Sequence, residues 1–377
     1  MNDFEPDRHA RHRMIDWFDQ DRLASTRALV VGAGAIGNEV CKNLTLLGVG
    51  HITLWDRDHV ELHNLTRSVL FREADVGHEK AQIVAMRMKE LDSAVQVEPV
   101  CADLIESMRP SQVDGHDVVF ACLDNFEARL RINELCLIAG VDLVDGAIDA
   151  RHASVEHFPF SSGHGIGCYE CGLPHSAYER IAQRYACGGM RRAGLAERKV
   201  PTTIVTSSAA GALMVSWGLR MGVPQTGPDR SRRVLIDAIG ARAQPSLISR
   251  NPACPCCSHV QHDRVQRVHW SDSQPLDLGA AAQMLRVRLP EPVIFGARCA
   301  QCGQDAVDSI RIGSRLRSHS SDVLACRACS VGTIHVDSRD LCSLGDLLGA
   351  TQGRAPELPF LWVDDPRLDL CVEIHHD

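Results

Sequence analysis

The sequence predicts an α/β protein: a domain built on a Rossmann-like, doubly wound sheet with a structural zinc site, followed by a small zinc-ribbon-like α+β domain. Three observations predict it. A short apolar run, Arg27-Ala-Leu-Val-Val31, leads straight into Gly32-Ala-Gly34-Ala-Ile-Gly37. Helix-like and strand-like segments then alternate as far as residue 148. Half of the sixteen cysteines fall into four Cys-x-x-Cys pairs.

Composition bounds the rest. A chain of 377 residues holds one large domain and a smaller appendage. The expected division is a main domain over 1–259, a linker over 260–290 and a cysteine-bearing unit over 291–377. A net charge of -8, with no stripe of Lys and Arg, argues against a nucleic-acid partner. The N-terminal stretch carries acidic residues and no apolar core of the kind found in signal peptides, and no window approaches the ~20 apolar residues of a membrane span. A soluble, cytoplasmic protein is expected, and in a reducing compartment the paired cysteines read as metal ligands rather than disulfides.

Along the chain, an amphipathic helix is expected near 11–20, then the strand 27–31, a helix over 38–47 and a strand over 52–55. Further helices are expected near 78–92 and 125–139, with strands near 95–100, 117–122 and 141–148. Residues 174–200, with Gly188-Gly189 and several arginines but no periodicity, read as a crossover loop. An Ala- and Ser-rich helix over 206–221 and a strand over 234–238 come next. In the C-terminal unit, 341–348 reads as a helix, and 359–363 and 368–374 as strands.

Gly32-x-Gly34-x-x-Gly37, between a strand and a helix, is the setting in which backbone N–H groups and a helix N-terminus hold phosphate oxygens. Asp56 ends the second strand, where a carboxylate reaches ribose hydroxyls. These residues suit NAD as well as ATP. Three further segments favour ATP: Asn64-Leu-Thr-Arg67, Gly77-His-Glu-Lys80, and Cys122-Leu-Asp124-Asn125 with Arg129 supply an amide, cations and an acid beyond strands two and four. Cations suit a triphosphate and a carboxylate suits its magnesium. Asn64 alone would also read as a turn former.

Taken together, these motifs resemble the ubiquitin-activating and ThiF-like adenylyltransferase family over roughly residues 8–258. The resemblance implies that Asp56 holds the ribose, that Asn64, Arg67 and Lys80 contact phosphates, and that Asp124 coordinates magnesium. It also implies that Arg11, from Arg8-His-Ala-Arg11, reaches across a homodimer interface to the partner subunit's ATP. The implied reaction is adenylation of the C-terminal carboxylate of a small ubiquitin-like protein, then thioester formation and transfer to a conjugating enzyme. The alternative is a sulfur-carrier protein adenylyltransferase leading to a thiocarboxylate.

Cys168-Tyr-Glu-Cys171 and Cys254-Pro-Cys-Cys257 are two knuckles that make a closed tetrahedral zinc site, with Cys256 as an alternative to a neighbouring ligand. The family is similar here too, with knuckles before the crossover loop and at the domain's end. Cys299-Ala-Gln-Cys302 and Cys326-Arg-Ala-Cys329 repeat the pattern outside the resemblance; this second zinc either folds a small domain or helps dock a partner. Cys187, in Tyr-Ala-Cys187-Gly-Gly near Arg184, Arg191 and Arg192, is the candidate thioester nucleophile, set against an ordinary loop cysteine. The thirteen residues separating Cys187 from Pro201 are more than the family spacing, which keeps both readings open. The terminal His375-His376 reads as a solvated tail.

Overall fold

The computed structural model describes residues 8–163, 165–173, 201–221, 229–258, 265–274, 283–305, 310–319, 326, 328–329, 334–365 and 368–376. The chain divides into two compact units, one of residues 1–174 and 198–263, the other of 175–197 and 264–377.

The first unit is built on an eight-stranded sheet of order β3-β2-β1-β4-β5-β6-β7-β8. Its parallel half comprises β1 (Arg27–Val31), β2 (His51–Trp55), β3 (Gln96–Val100), β4 (Val118–Ala121) and β5 (Asp142–Ile148). β1 lies between β2 and β4 and is buried from Ala28 to Val31, which is why its sequence is apolar without alternation. Antiparallel strands β6 (His152–Phe158), β7 (Arg232–Asp237) and β8 (Arg242–Leu247) extend the other side, so the doubly wound sheet is mixed rather than parallel throughout. Sequence patterning does not predict β6 or β8. β8, the outermost strand, is exposed at every residue, its Ala243, Pro245 and Leu247 included.

Helices α1 (Gln20–Ser25), α2 (Ala35–Leu47), α3 (Lys80–Leu91), α4 (Leu104–Ser107), α5 (Pro110–Val113), α6 (Phe126–Ala139) and α7 (Ile204–Gly218) complete this unit. The helix expected near 11–20 is instead a 3-10 turn at His12–Met14 and then α1. Asp19 caps α1 by accepting from the Arg22 N–H, which moves the helix start to Gln20. α2 and α7 pack closely because Gly211 has no side chain; a Cβ there would lie 2.6 Å from that of Glu39.

In the second unit, β9 (Gln266–Trp270), β10 (Arg286–Cys299), β11 (Ile334–Ser343), β12 (Phe360–Asp365) and β13 (Leu368–Ile374) form a sheet of order β11-β10-β12-β13-β9. The expectation of a linker over 260–290 fails at 266–270: this stretch is β9, paired in parallel with β13, and it anchors Trp270 in the core. Helix α8 (Leu344–Ala350), N-capped by Ser343, adds Leu344 and Leu347 to that core. A smaller core of Ile294, Ile310, Leu316 and Ile334 surrounds Cys299 and Cys326.

Candidate nucleotide site and cysteine clusters

In the strand order 3-2-1-4-5 the direction of winding reverses between β1 and β4, and the crevice beyond their carboxyl ends takes ligands in sheets of this kind. The glycine loop occupies that place. Gly32 has φ +100°, and a Cβ there would collide with the Cys122 carbonyl; one on Gly37 would collide with the Gly32 carbonyl. Both positions demand glycine. Gly34, the N-cap of α2, has no atom within 4 Å of where its Cβ would be, and no side chain caps the first turn of that helix. A helix start left open in this way fits a phosphate group.

Asp56 closes the loop from the β2 side. Its Oδ2 accepts from the Ala33 N–H at 2.6 Å and its Oδ1 from the Asp58 N–H at 2.7 Å. Burial raises this carboxyl's pKa, opposed by the charge of Lys80 and by those two amides. Lys80 opens α3, with Nζ 3.0 Å from Asp58 Oδ2. Asp58 was not anticipated; a flanking acid on an irregular segment leaves no periodic trace.

Asn64 and Arg67 come from the 3-10 turn Leu62–Thr66 and its C-cap. Asn64 is buried and does shape the turn, its Oδ1 accepting from the Glu61 N–H at 2.9 Å, while Arg67 Nη1 donates to the His63 carbonyl at 2.7 Å. The residue joining this segment to the glycine loop is Asn38, fully buried on α2. Its Nδ2 donates to the Ala33 and Gly34 carbonyls at 2.7 and 3.0 Å, and its Oδ1 accepts from the Leu70 N–H at 2.9 Å. Its only signal in the sequence is a polar residue after Gly37 where helical spacing calls for an apolar one.

On the β4 side, the Cys122 N–H donates to the Val31 carbonyl at 2.8 Å, and Asp124 lies exposed two residues on, 3.2 Å from Asn125 Nδ2. Asn125 caps α6 by accepting from the Ala128 N–H. Arg129 has a different place from the one its spacing suggested. It is buried, ion-paired with Asp145, and donates to the Leu123 and Gly146 carbonyls. Burial still raises the Asp145 pKa, with Glu156 adding to the rise and Arg129 opposing it, so this guanidinium is committed to internal charge.

At the N-terminus, Arg8 pairs with Asp92 at 2.9 Å. Arg11 is exposed and has no side-chain partner among the described residues. Cys187 and the crossover loop 174–200 lie outside the described residues.

The knuckles converge as their spacing predicts. Cys168, Cys171, Cys254 and Cys257 bring their sulfurs within 4.8 Å of one another, with separations of 3.8 Å for Cys168–Cys171, 3.6 Å for Cys168–Cys254 and 3.4 Å for Cys171–Cys257. A tetrahedral zinc with bonds of ~2.3 Å sets its sulfurs about 3.8 Å apart, so this donor set fits the ion. Cys256 is not one of the four; its sulfur takes the Asn133 Nδ2 at 3.4 Å, while Asn133 Oδ1 accepts from the Tyr169 N–H at 2.9 Å, which ties the two knuckles together. Cys299, Cys302, Cys326 and Cys329 also lie within 4.8 Å of one another. The Cys302 and Gln301 N–H groups donate to Cys299, holding its thiol down at about 6 and favouring the thiolate a metal needs.

These contacts have two measurable consequences. Arg129→Met takes the ion-pair partner from buried Asp145 and should cost about 3–5 kcal/mol of stability in denaturant unfolding, whereas removal of the exposed Asp124 carboxylate should cost less than about 0.5 kcal/mol. Zinc counted by mass spectrometry should fall by one ion per chain in Cys171→Ser and stay unchanged in Cys256→Ser; equal loss in both would overturn the ligand assignment.

The sequence profile of the ThiF family matches residues 7–274. The chain is 29% identical over 275 residues to a SAMP-activating enzyme E1 of Haloferax volcanii, covering 72% of this chain and 96% of that one. It is 33% identical over 246 residues to a sulfur carrier protein adenylyltransferase of Thermus thermophilus, covering 63% and 84%. It is 27% identical over 260 residues to a molybdopterin-synthase adenylyltransferase of Escherichia coli, covering 68% and 98%. Among solved structures, E. coli MccB with ATP superposes with a TM-score of 0.54 at 23% identity, covering 68% of this chain and 75% of that one, a likeness of fold. No helix among the described residues is long and apolar enough to cross a membrane. The chain is an adenylyltransferase, and it belongs to the ThiF family.

Proposed function

We propose that this chain uses magnesium ATP to adenylate the C-terminal carboxylate of a small ubiquitin-like or sulfur-carrier protein. The observation that carries the reading is the loop Gly32–Gly37, closed by Asp56 on one side and by Asn38 on another, with Lys80 beside it and Asp124 exposed beyond β4. In this reading the open N-terminus of α2 receives phosphate oxygens and Asp56 accepts from the ribose hydroxyls. Lys80, Arg67 and the Asn64 amide neutralise and orient the polyphosphate. Asp124 holds magnesium, which supplies further neutralisation of phosphate charge. A carboxylate oxygen of the partner bonds to the α-phosphorus as the bond to the bridging oxygen breaks and pyrophosphate leaves. Positioning and cationic stabilisation carry that step, and no general base is needed. Arg11, exposed and without a side-chain partner among the described residues, suits the role of an arginine supplied to the other subunit of a homodimer.

The step after adenylation divides into two readings. In one, Cys187 takes the acyl group as a thioester and passes it to a conjugating enzyme, with the C-terminal unit available for docking. In the other, the adenylate becomes a thiocarboxylate, and the similarity to the sulfur carrier protein adenylyltransferase of T. thermophilus supports that route on equal terms.

Asp124→Ala should lower partner-dependent ATP–pyrophosphate exchange about 100-fold or more while circular dichroism stays unchanged, and near-normal exchange would remove Asp124 from the mechanism. To separate the routes, the protein is incubated with ATP and candidate partners and run on a non-reducing gel. Conjugation predicts a thiol-sensitive adduct lost in Cys187→Ala; an adduct that survives this change excludes Cys187, and a thiocarboxylate made from a sulfide donor without an adduct favours sulfur transfer.

A further inference from the structure

Among the described residues, one cluster of metal-ligating side chains lies outside both the candidate nucleotide site and the cysteine clusters. His269 on β9 stands abreast of Glu373 on β13 in the parallel register, and His375 lies two residues past Glu373, on the same side of the sheet. The Trp270 carbonyl accepts from the His375 N–H at 2.8 Å, which carries the pairing past the end of β13. His375 is therefore built into the sheet edge rather than lying in a solvated tail. His269 Nδ1 and His375 Nε2 are 2.9 Å apart, His375 Nε2 and Glu373 Oε2 are 3.9 Å apart, and one donor atom from each residue lies within 4.8 Å of the others.

A tetrahedral zinc with bonds of ~2.0–2.2 Å keeps nitrogen and oxygen ligands about 3.3–3.5 Å apart. The two separations, 2.9 and 3.9 Å, lie on either side of that spacing, so shifts of about half an ångström seat an ion. Two imidazoles and one carboxylate select a borderline transition ion over calcium or magnesium, which prefer oxygen alone. The site has a dry side and a wet side: Glu373 is fully buried, and His269 is exposed. A buried carboxylate is stabilised by adjacent positive charge, which a divalent ion provides.

We propose that His269, Glu373 and His375 bind a divalent transition-metal ion, zinc in the first instance, with a fourth position open to solvent. The ion clasps β9, an edge strand, to β13. This assignment is independent of the adenylation chemistry.

The test uses the full chain reconstituted with zinc near neutral pH and freed of excess metal. His269→Gln/His375→Gln should carry one zinc fewer per chain than the unaltered protein, with cysteine reactivity unchanged; an equal count in both overturns the proposal. If the double variant loses more than one ion, His269→Gln alone decides, because its side chain is exposed. Competition against a chromogenic chelator should then show the weakest site reduced in affinity at least about tenfold, and an unchanged affinity overturns the proposal.

Discussion

Everything in the candidate nucleotide site depends on one close approach of backbone to backbone. Gly37 lies against the carbonyl of Gly32, and Gly32 against the carbonyl of Cys122, with no room for a side chain at either contact. This brings the start of α2 down onto the ends of β1 and β4, so the Ala33 N–H reaches Asp56 and the Ala33 carbonyl reaches Asn38. A methyl group at Gly37 would move the helix start, and with it the anchor points of two segments distant in sequence. The cations and acids around the loop are thus secondary to its shape: they act on whatever the loop presents, and their positions are inherited from it.

Away from the loop, buried polar groups keep the irregular segments in place. Asn133 takes one hydrogen bond from the backbone at Tyr169 and gives one to the sulfur of Cys256, so a single amide spans two knuckles far apart in sequence. Arg129 does comparable work for the stretch after β4, joining the Leu123 and Gly146 carbonyls while balancing Asp145. Such groups are stabilising only when fully paired, because a buried polar atom without its partner carries the whole cost of lost hydration.

The sequence made the parallel half of the first sheet legible, because β1 and β4 are apolar on both faces and α6 is capped at both ends, by Asn125 and Gly140. The four knuckles were legible for a different reason: metal geometry fixes their spacing directly. β8 was not, since its alternation of Arg242, Gln244 and Ser246 with Ala243, Pro245 and Leu247 is weakly apolar and interrupted by a proline, and all its residues are exposed. β9 was missed because it pairs with a strand from the far end of the chain, a partner no local window contains. In the candidate site, residues that would face a ligand stood out by type, whereas Asn38 and Asp58, which act on the backbone or on a neighbouring cation, looked like ordinary polar positions. Arg129 was misplaced for the converse reason: its charge fitted a phosphate, and only the fold revealed Asp145 beside it.

The position of β13 has a consequence for how the second unit is made. This strand is not an edge; it lies between β12 and β9 and supplies Leu370, Val372 and Ile374 to the core. During synthesis, β9 emerges about a hundred residues before the neighbour it pairs with, so this side of the sheet cannot be completed until β13 has been made. Contacts of such long sequence separation close slowly. A chain that stopped before β13 would leave β9 without its partner strand and one side of β12 open to pairing with other molecules.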